Sequence, residues 1–146
     1  MIEELYQEFN IADIEPSQFP SLDLAYIGDC VYELTIRTNL LNEGPASVDK
    51  LNRRASSLAK AATQARMAEN LRDIMTEEEE AVFKRGRNAK VNSPAKNATI
   101  SDYHKATGFE ALIGWLYLNK DYARLFELIR KGWESLENAE AGQKLE

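Results

Sequence analysis

The chain has 146 residues, 44% of them apolar and 29% charged, with 24 acidic and 18 basic side chains and a formal charge of −6. That length suits one compact domain, the composition excludes a disordered chain, and no apolar run is long enough to span a membrane. A single cysteine, Cys30, excludes an internal disulfide and favours a reducing, cytosolic setting, and the acidic start Met1-Ile2-Glu3-Glu4 is not that of a signal peptide.

In chain order, residues 2–9 are predicted as a short amphipathic helix, followed by a connector from Asn10 to Pro20 that contains Pro16. Ser21 is the expected N-cap of a long helix in which Leu22, Ala25, Tyr26, Ile27, Val31 and Leu34 recur at helical spacing until Asn42, Gly44 and Pro45 stop it. A third helix is expected after Ser47, running through Leu51, Ala55, Leu58, Ala62 and Ala65 to Leu71, its alanines suited to close packing. Thr76-Glu77-Glu78-Glu79 is a capping-box sequence that opens a short helix ending at Gly86, so this acidic run is read as a helix start and not a metal site. Arg87 to Ile100 reads as a loop. Ser101 or Asp102 then opens a helix through Leu118, and Asp121 caps a last one carrying Leu125, Leu128, Ile129, Trp133 and Leu136. Alternating strand patterns are absent, and the fold is expected to be all-α.

The charge is unevenly placed. Residues 1–49 carry a net −9 with Arg37 their only base, residues 50–105 carry +5, and residues 106–146 carry −2. Within the middle part, Lys84, Arg85, Arg87, Lys90, Lys96 and Lys105 face one acid, Asp102, over residues 84–105. Such a patch is either a solvated face or a contact for an anionic partner.

Two acids break the amphipathic pattern. Asp29 sits within Leu24-Ala25-Tyr26-Ile27-Gly28-Asp29-Cys30-Val31-Tyr32, and Glu110 within Gly108-Phe109-Glu110-Ala111-Leu112-Ile113-Gly114-Trp115. An unpaired carboxylate in apolar surroundings neutralises or finds a cation. Gly28, Gly108 and Gly114 lie inside the same helices, where glycine marks close backbone approach. If those faces cross, the two carboxylates converge between helices, as a Mg²⁺ site in a bundle requires. The alternative is that Asp29 pairs with a buried arginine or serves as a cap, while Glu110 faces solvent at a helix edge. Glu33, one turn after Asp29, is either a supporting acid or an ordinary surface one. His104, the only histidine, argues against a zinc cluster, and Cys30 is expected to be a small core residue and not a nucleophile.

Together these segments resemble the ribonuclease III family. Leu24 to Glu33 resembles the signature helix of its catalytic domain, and Thr107-Gly108-Phe109-Glu110-Ala111-Leu112-Ile113-Gly114 resembles its second metal-binding helix. Arg85-Gly86-Arg87-Asn88-Ala89-Lys90, followed by Pro94, Lys96 and Asn97, is similar to the basic segment of the Mini-ribonuclease III branch. Two of the four carboxylate positions of full-length ribonuclease III correspond here to Ala25 and Thr107, a reduction that the Mini branch shares. The double-stranded-RNA-binding domain that usually follows is not expected here, since the sequence runs only a short way past the last predicted helix.

The resemblance implies a single ribonuclease III-like domain over residues 1–146. Residues 1–20 would be an N-terminal helix and connector, 21–137 the catalytic core in a helical bundle, and 138–146 a fraying tail. It implies a symmetric homodimer that cuts double-stranded RNA to 5′-phosphate and 3′-hydroxyl ends, with Asp29 and Glu110 as catalytic metal ligands for Mg²⁺ or, in its place, Mn²⁺. Arg85, Arg87, Asn88, Lys90 and Lys96 would contact the substrate and carry a large share of its affinity. It further implies maturation of the large-subunit (23S) ribosomal RNA precursor in a bacterial cytoplasm, with a ribosomal protein as a possible accessory and no membrane partner. The competing expectation is a ribonuclease III-like domain that binds structured RNA or a ribosome without cutting it.

Overall fold

The computed structural model describes residues 1–90 and 99–145, and among them all regular structure is helical. The helices are α1 (Ile2–Glu8), α2 (Ser21–Asn42), α3 (Val48–Ala59), α4 (Ala61–Leu71), α5 (Glu77–Arg87), α6 (Ile100–Leu118) and α7 (Tyr122–Leu145), with short 3₁₀ turns at Pro16–Gln18 and Arg72–Ile74. α6 is the axis of the bundle, packed against α2, α4, α5 and α7.

Local chemistry sets most boundaries. Pro20, not Ser21, occupies the N-cap of α2, its carbonyl accepting from the amides of Asp23 at 3.0 Å and Leu24 at 3.3 Å. The single helix expected from Ser47 to Leu71 is broken at Lys60, whose extended backbone ends α3 and starts α4. Side chains from the first turn of α4 take up the end of α3: the Thr63 hydroxyl donates to the Ser57 carbonyl and the Gln64 amide to the Ala59 carbonyl, each at 2.7 Å. Those bonds satisfy carbonyls that a helix end would leave open. The capping box forms as expected, with Thr76 Oγ1 accepting from the Glu79 amide at 3.1 Å and Glu79 Oε1 from the Thr76 amide at 2.9 Å. α6 begins slightly earlier than its polar residues suggest, because Thr99 caps it by accepting from the Asp102 amide at 3.0 Å. α7 stays helical to Leu145, past Asn138 where the composition turns small and polar.

The core is built around Tyr32, Phe83, Phe109 and Met67, all with no exposed surface. Tyr32 meets Phe109 edge to face at 5.3 Å, donates its hydroxyl hydrogen to the Leu58 carbonyl at 2.8 Å and accepts from Trp133 Nε1 at 3.2 Å. One residue therefore ties α2 to α3, α6 and α7. Ala55, Ala65 and Ala68 are buried, as the alanine content led one to expect, whereas Ala62 is exposed.

Candidate metal centre and basic surface

Two helix crossings shape the site. At the first, a Cβ on Gly28 would collide with the Glu110 carbonyl, and one on Gly114 would collide with the Leu24 carbonyl. Glycine at both positions lets the α2 and α6 backbones touch. Gly108 serves a different neighbour, because its Cβ would meet the carbonyl of Phe83 on α5 at 2.6 Å. The glycines flanking Glu110 thus set two helices against α6, one on each side of the acid.

The crossing brings the two singled-out carboxylates together. Glu110 is half-buried, and its carboxyl is pushed up to about 9, first by burial, then by the adjacent Asp29 carboxyl and the charge of Glu33. Asp29 is exposed and not embedded, because one step along a helix from buried Gly28 turns the side chain out to the rim. Among the described residues neither acid has a cationic partner within 4 Å. The arginine partner considered for Asp29 is therefore not found among them. Glu33 turns to Arg37, accepting from its Nε at 3.1 Å. No third His, Cys, Asp or Glu among the described residues completes a larger ligand group. Ala25 is buried, and Thr107 directs its hydroxyl to the Tyr103 carbonyl at 3.0 Å.

Two facing carboxylates without a counter-charge suit a hard divalent cation, which needs few carboxylates and keeps several waters. The exposure of Asp29 leaves the pair in contact with solvent on that side.

The C-terminal end of α5 supplies the cations. Arg85, Asn88 and Lys90 are exposed, whereas Arg87 is half-buried, its guanidinium 5.8 Å from the centre of the Phe83 ring and its Nε donating to Asn88 Oδ1 at 3.3 Å. Arg85, Arg87 and Lys90 have no acidic partner within 4 Å among the described residues, while Lys84 pairs with Glu80 at 3.6 Å. Lys96, with Pro94 and Asn97, lies outside the described residues. The Gly86–Gly108 contact seats this basic end on α6 within a turn of Glu110.

Sequence reasoning missed three features. Cys30 is exposed, not a core residue. Around it the outer side of α2 presents Leu22, Tyr26 and Leu34, with Tyr26 83% exposed. An aromatic so open on a helix of this apolarity is a signal that periodicity alone passes over. The third is an ion pair: Glu79, read only as a capping residue, is buried and accepts from Arg124 Nη2 at 2.8 Å and Nε at 2.9 Å. Nothing in a run of four glutamates marks which one meets an arginine 45 positions away.

Comparison with known proteins follows the same outline. The ribonuclease III domain model matches residues 22–121. The chain is 44% identical over 127 residues to the Mini-ribonuclease 3 of Clostridium tetani, covering 86% of this chain and 83% of that protein. It is 39% identical over 125 residues to that of Symbiobacterium thermophilum, covering 86% and 96%, and 44% identical over 114 residues to that of Enterococcus faecalis, covering 77% and 86%. The crystal structure of protein FN1578 from Fusobacterium nucleatum superposes with a TM-score of 0.73 at 28% identity, over 80% of this chain and 93% of that one. Among the described residues no helix is long and apolar enough to cross a membrane.

Proposed function

Because the chain belongs to the ribonuclease III family, in its Mini-ribonuclease 3 branch, and is an endoribonuclease of that class, we propose that it cuts double-stranded RNA with Mg²⁺ held by Asp29 and Glu110. The observation that carries this reading is the meeting of those two carboxylates at a glycine-lined helix crossing with no cation beside them. Mn²⁺, equally content with oxygen ligands, would substitute.

When bound, the metal would polarise the scissile phosphate and lower the pKa of an attacking water, leaving 5′-phosphate and 3′-hydroxyl ends. The chain's own residues do the rest. Gly28 and Gly114 hold the carboxylates at a fixed separation, and the buried face of α6 keeps Glu110 from drifting into solvent. Arg85, Arg87 and Lys90 contact backbone phosphates next to the cut, with Asn88 adding a hydrogen bond and Lys96 assigned the same role from sequence. The Phe83 ring stiffens Arg87 so that less freedom is lost on contact. A-form RNA is read through shape, phosphates and 2′-hydroxyls, so base specificity is limited.

The exposed Leu22, Tyr26 and Leu34 support a homodimer built on the outer face of α2, each subunit cutting one strand. In this reading residues 21–137 are the catalytic core and residues 1–20 an appended helix and connector. The family resemblance supports the large-subunit ribosomal RNA precursor as substrate, in a bacterial cytoplasm, with a ribosomal protein presenting it. The decisive experiment incubates a long RNA duplex with the protein with and without Mg²⁺, beside the Asp29→Asn variant. Metal-dependent cutting by the parent and none by the variant is expected, and equal cutting by both would overturn the assignment. Replacing Arg85 and Arg87 by Ala should weaken duplex binding and lower its salt slope by about two.

A further inference from the structure

Glu33 is the acid near the helix crossing that the reading above leaves without a role. It stands one helical turn beyond Asp29, so the two Cβ atoms are about 5–6 Å apart on one side of α2. A helical side chain leans over the turn that precedes its own Cα, which for Glu33 is the turn carrying Asp29. Its charge reaches the facing helix, where it acts together with that of Asp29 on the Glu110 carboxyl. Three carboxylates therefore gather where α2 meets α6.

Glu33 is nevertheless not placed as a direct ligand. Among the described residues no three His, Cys, Asp or Glu side chains lie close enough together to share an ion. Its surroundings also differ from those of the other two acids. The side chain is 35% exposed, and its Oε2 accepts from Arg37 Nε at 3.1 Å. Arg37 is the only base in residues 1–49, and it goes to this acid and not to Asp29 or Glu110. An exposed pair at this spacing contributes little to stability. What it does is hold one carboxylate oxygen, while Oε1 accepts no hydrogen bond from the described residues.

The distances of divalent-cation chemistry fit this placement. Oxygen ligands sit about 2.0–2.1 Å from Mg²⁺, and with two carboxylates supplied most of its six positions stay with water. A carboxylate that accepts from one of those waters stands about 4–5 Å from the ion. An acid one turn from a ligand is at that range, too far to ligate and close enough to take a hydrogen from a bound water. Such outer carboxylates, themselves held by a hydrogen bond, orient the inner ones.

We propose that Glu33 is a positioning residue of the metal centre, its Oε1 accepting a hydrogen from a water on the Mg²⁺ held by Asp29 and Glu110 while Arg37 holds its Oε2. This rests on the metal reading of Asp29 and Glu110 and adds to that site a third carboxylate acting through water.

The test measures metal binding by the full chain without RNA. Mn²⁺ is titrated in and followed by loss of the free-ion signal in electron paramagnetic resonance, and Mg²⁺ by the rise in melting temperature over the chelated protein. Glu33→Gln should raise the dissociation constant of both ions by about tenfold or more. Its metal-free melting temperature should stay level or rise, because one of the charges acting on Glu110 is gone. Glu33→Asp keeps the charge but draws the oxygens back by one methylene, and should also weaken binding, by about threefold or more. Parent affinity in Glu33→Gln would make Glu33 an ordinary surface partner of Arg37. Full affinity in Glu33→Asp beside a loss in Glu33→Gln would reduce its part to a charge at a distance. Either result overturns the proposal. If the parent binds neither ion, or Asp29→Asn binds as tightly as the parent, the metal reading of Asp29 and Glu110 falls, and this inference with it.

Discussion

Glu79 opens α5 and Glu110 stands in the middle of α6, and the protein withdraws both from water in opposite ways. Glu79, its side chain 4% exposed, faces the Arg124 guanidinium and the Thr76 amide, and the hydrogen bonds from Arg124 hold its carboxyl below the ordinary value of 4.5. Arg124 is itself anchored on the Ile74 carbonyl at 2.7 Å. Glu110 meets another carboxylate where Glu79 meets an arginine, and burial beside Asp29 pushes it up to about 9. The first arrangement is complete without any ligand. In the proposed metal site the second would lower the stability of the metal-free protein and be relieved by a cation, the difference expected between a structural acid and a functional one.

The sharpest way to break this comparison is substitution at the unpaired acids. Asp29→Asn or Glu110→Gln should reduce duplex cleavage on the order of 10³-fold, judged by single-turnover assays, because each removes half of the ligand charge. Glu110→Gln should at the same time raise the melting temperature in chelator near neutral pH, since the half-buried carboxyl no longer has to take up a proton on folding. A lower melting temperature would mean that Glu110 is a structural residue like Glu79.

Next in size is the crossing that creates the pair. Gly114→Ala drives a methyl into the Leu24 carbonyl, so the helices must part. A loss of about 3 kcal/mol or more in denaturant unfolding is expected, together with loss of activity. An active, stable Gly114→Ala protein would show that the carboxylates do not depend on backbone contact.

Much of this was legible in the sequence because it rests on local chemistry. The capping box at Thr76 and Glu79 depends on four consecutive residues, and the helical spacing around Asp29 and Glu110 depends on a repeat that any core face shows. The glycines beside both acids pointed to the crossing, since a mid-helix glycine needs a reason. What was not legible depends on partners far apart in the chain. The Glu79–Arg124 pair, the assignment of Gly108 to α5 and not α2, and the break at Lys60 each require knowing which helix lies alongside. The exposure of Asp29 and Cys30 follows from the angle at which α2 meets α6, which a repeat of apolar residues constrains only loosely.

The paired acid offers the next test. Arg124→Met leaves Glu79 buried without a counter-charge and should cost about 3 kcal/mol, whereas adding Glu79→Gln to that variant should recover a good part of the loss. Chemical denaturation of the two single variants and the double one measures the coupling. If the double variant's loss equals the sum of the two single losses, the pair is no more than two surface charges, and its contrast with Glu110 disappears.

The last effect is spread over several pH units and is read as a slope of stability with pH, which for one carboxyl is at most about 1.4 kcal/mol per pH unit. Here the two glutamates should act with opposite signs. Glu79 has a lowered value in the fold, so its contribution is present above 4.5 and is lost as the pH falls through that lower value. Glu110 has a raised one and keeps its proton in the fold, so its contribution is present below 4.5 and is lost as the pH climbs toward 9. The charged groups acting on Glu110 are Asp29 and Glu33, neither of them a cation that would cancel the trend. Metal-free protein should therefore lose stability from roughly pH 5 to 8, Glu110→Gln should flatten that decline while leaving the acid limb in place, and Glu79→Gln should do the reverse. Adding Mg²⁺ to the parent should also flatten the decline, because a bound cation favours the ionised pair. A metal-free profile that is level across this range would show that Glu110 is solvated in solution, and that the two acids differ less than their surroundings indicate.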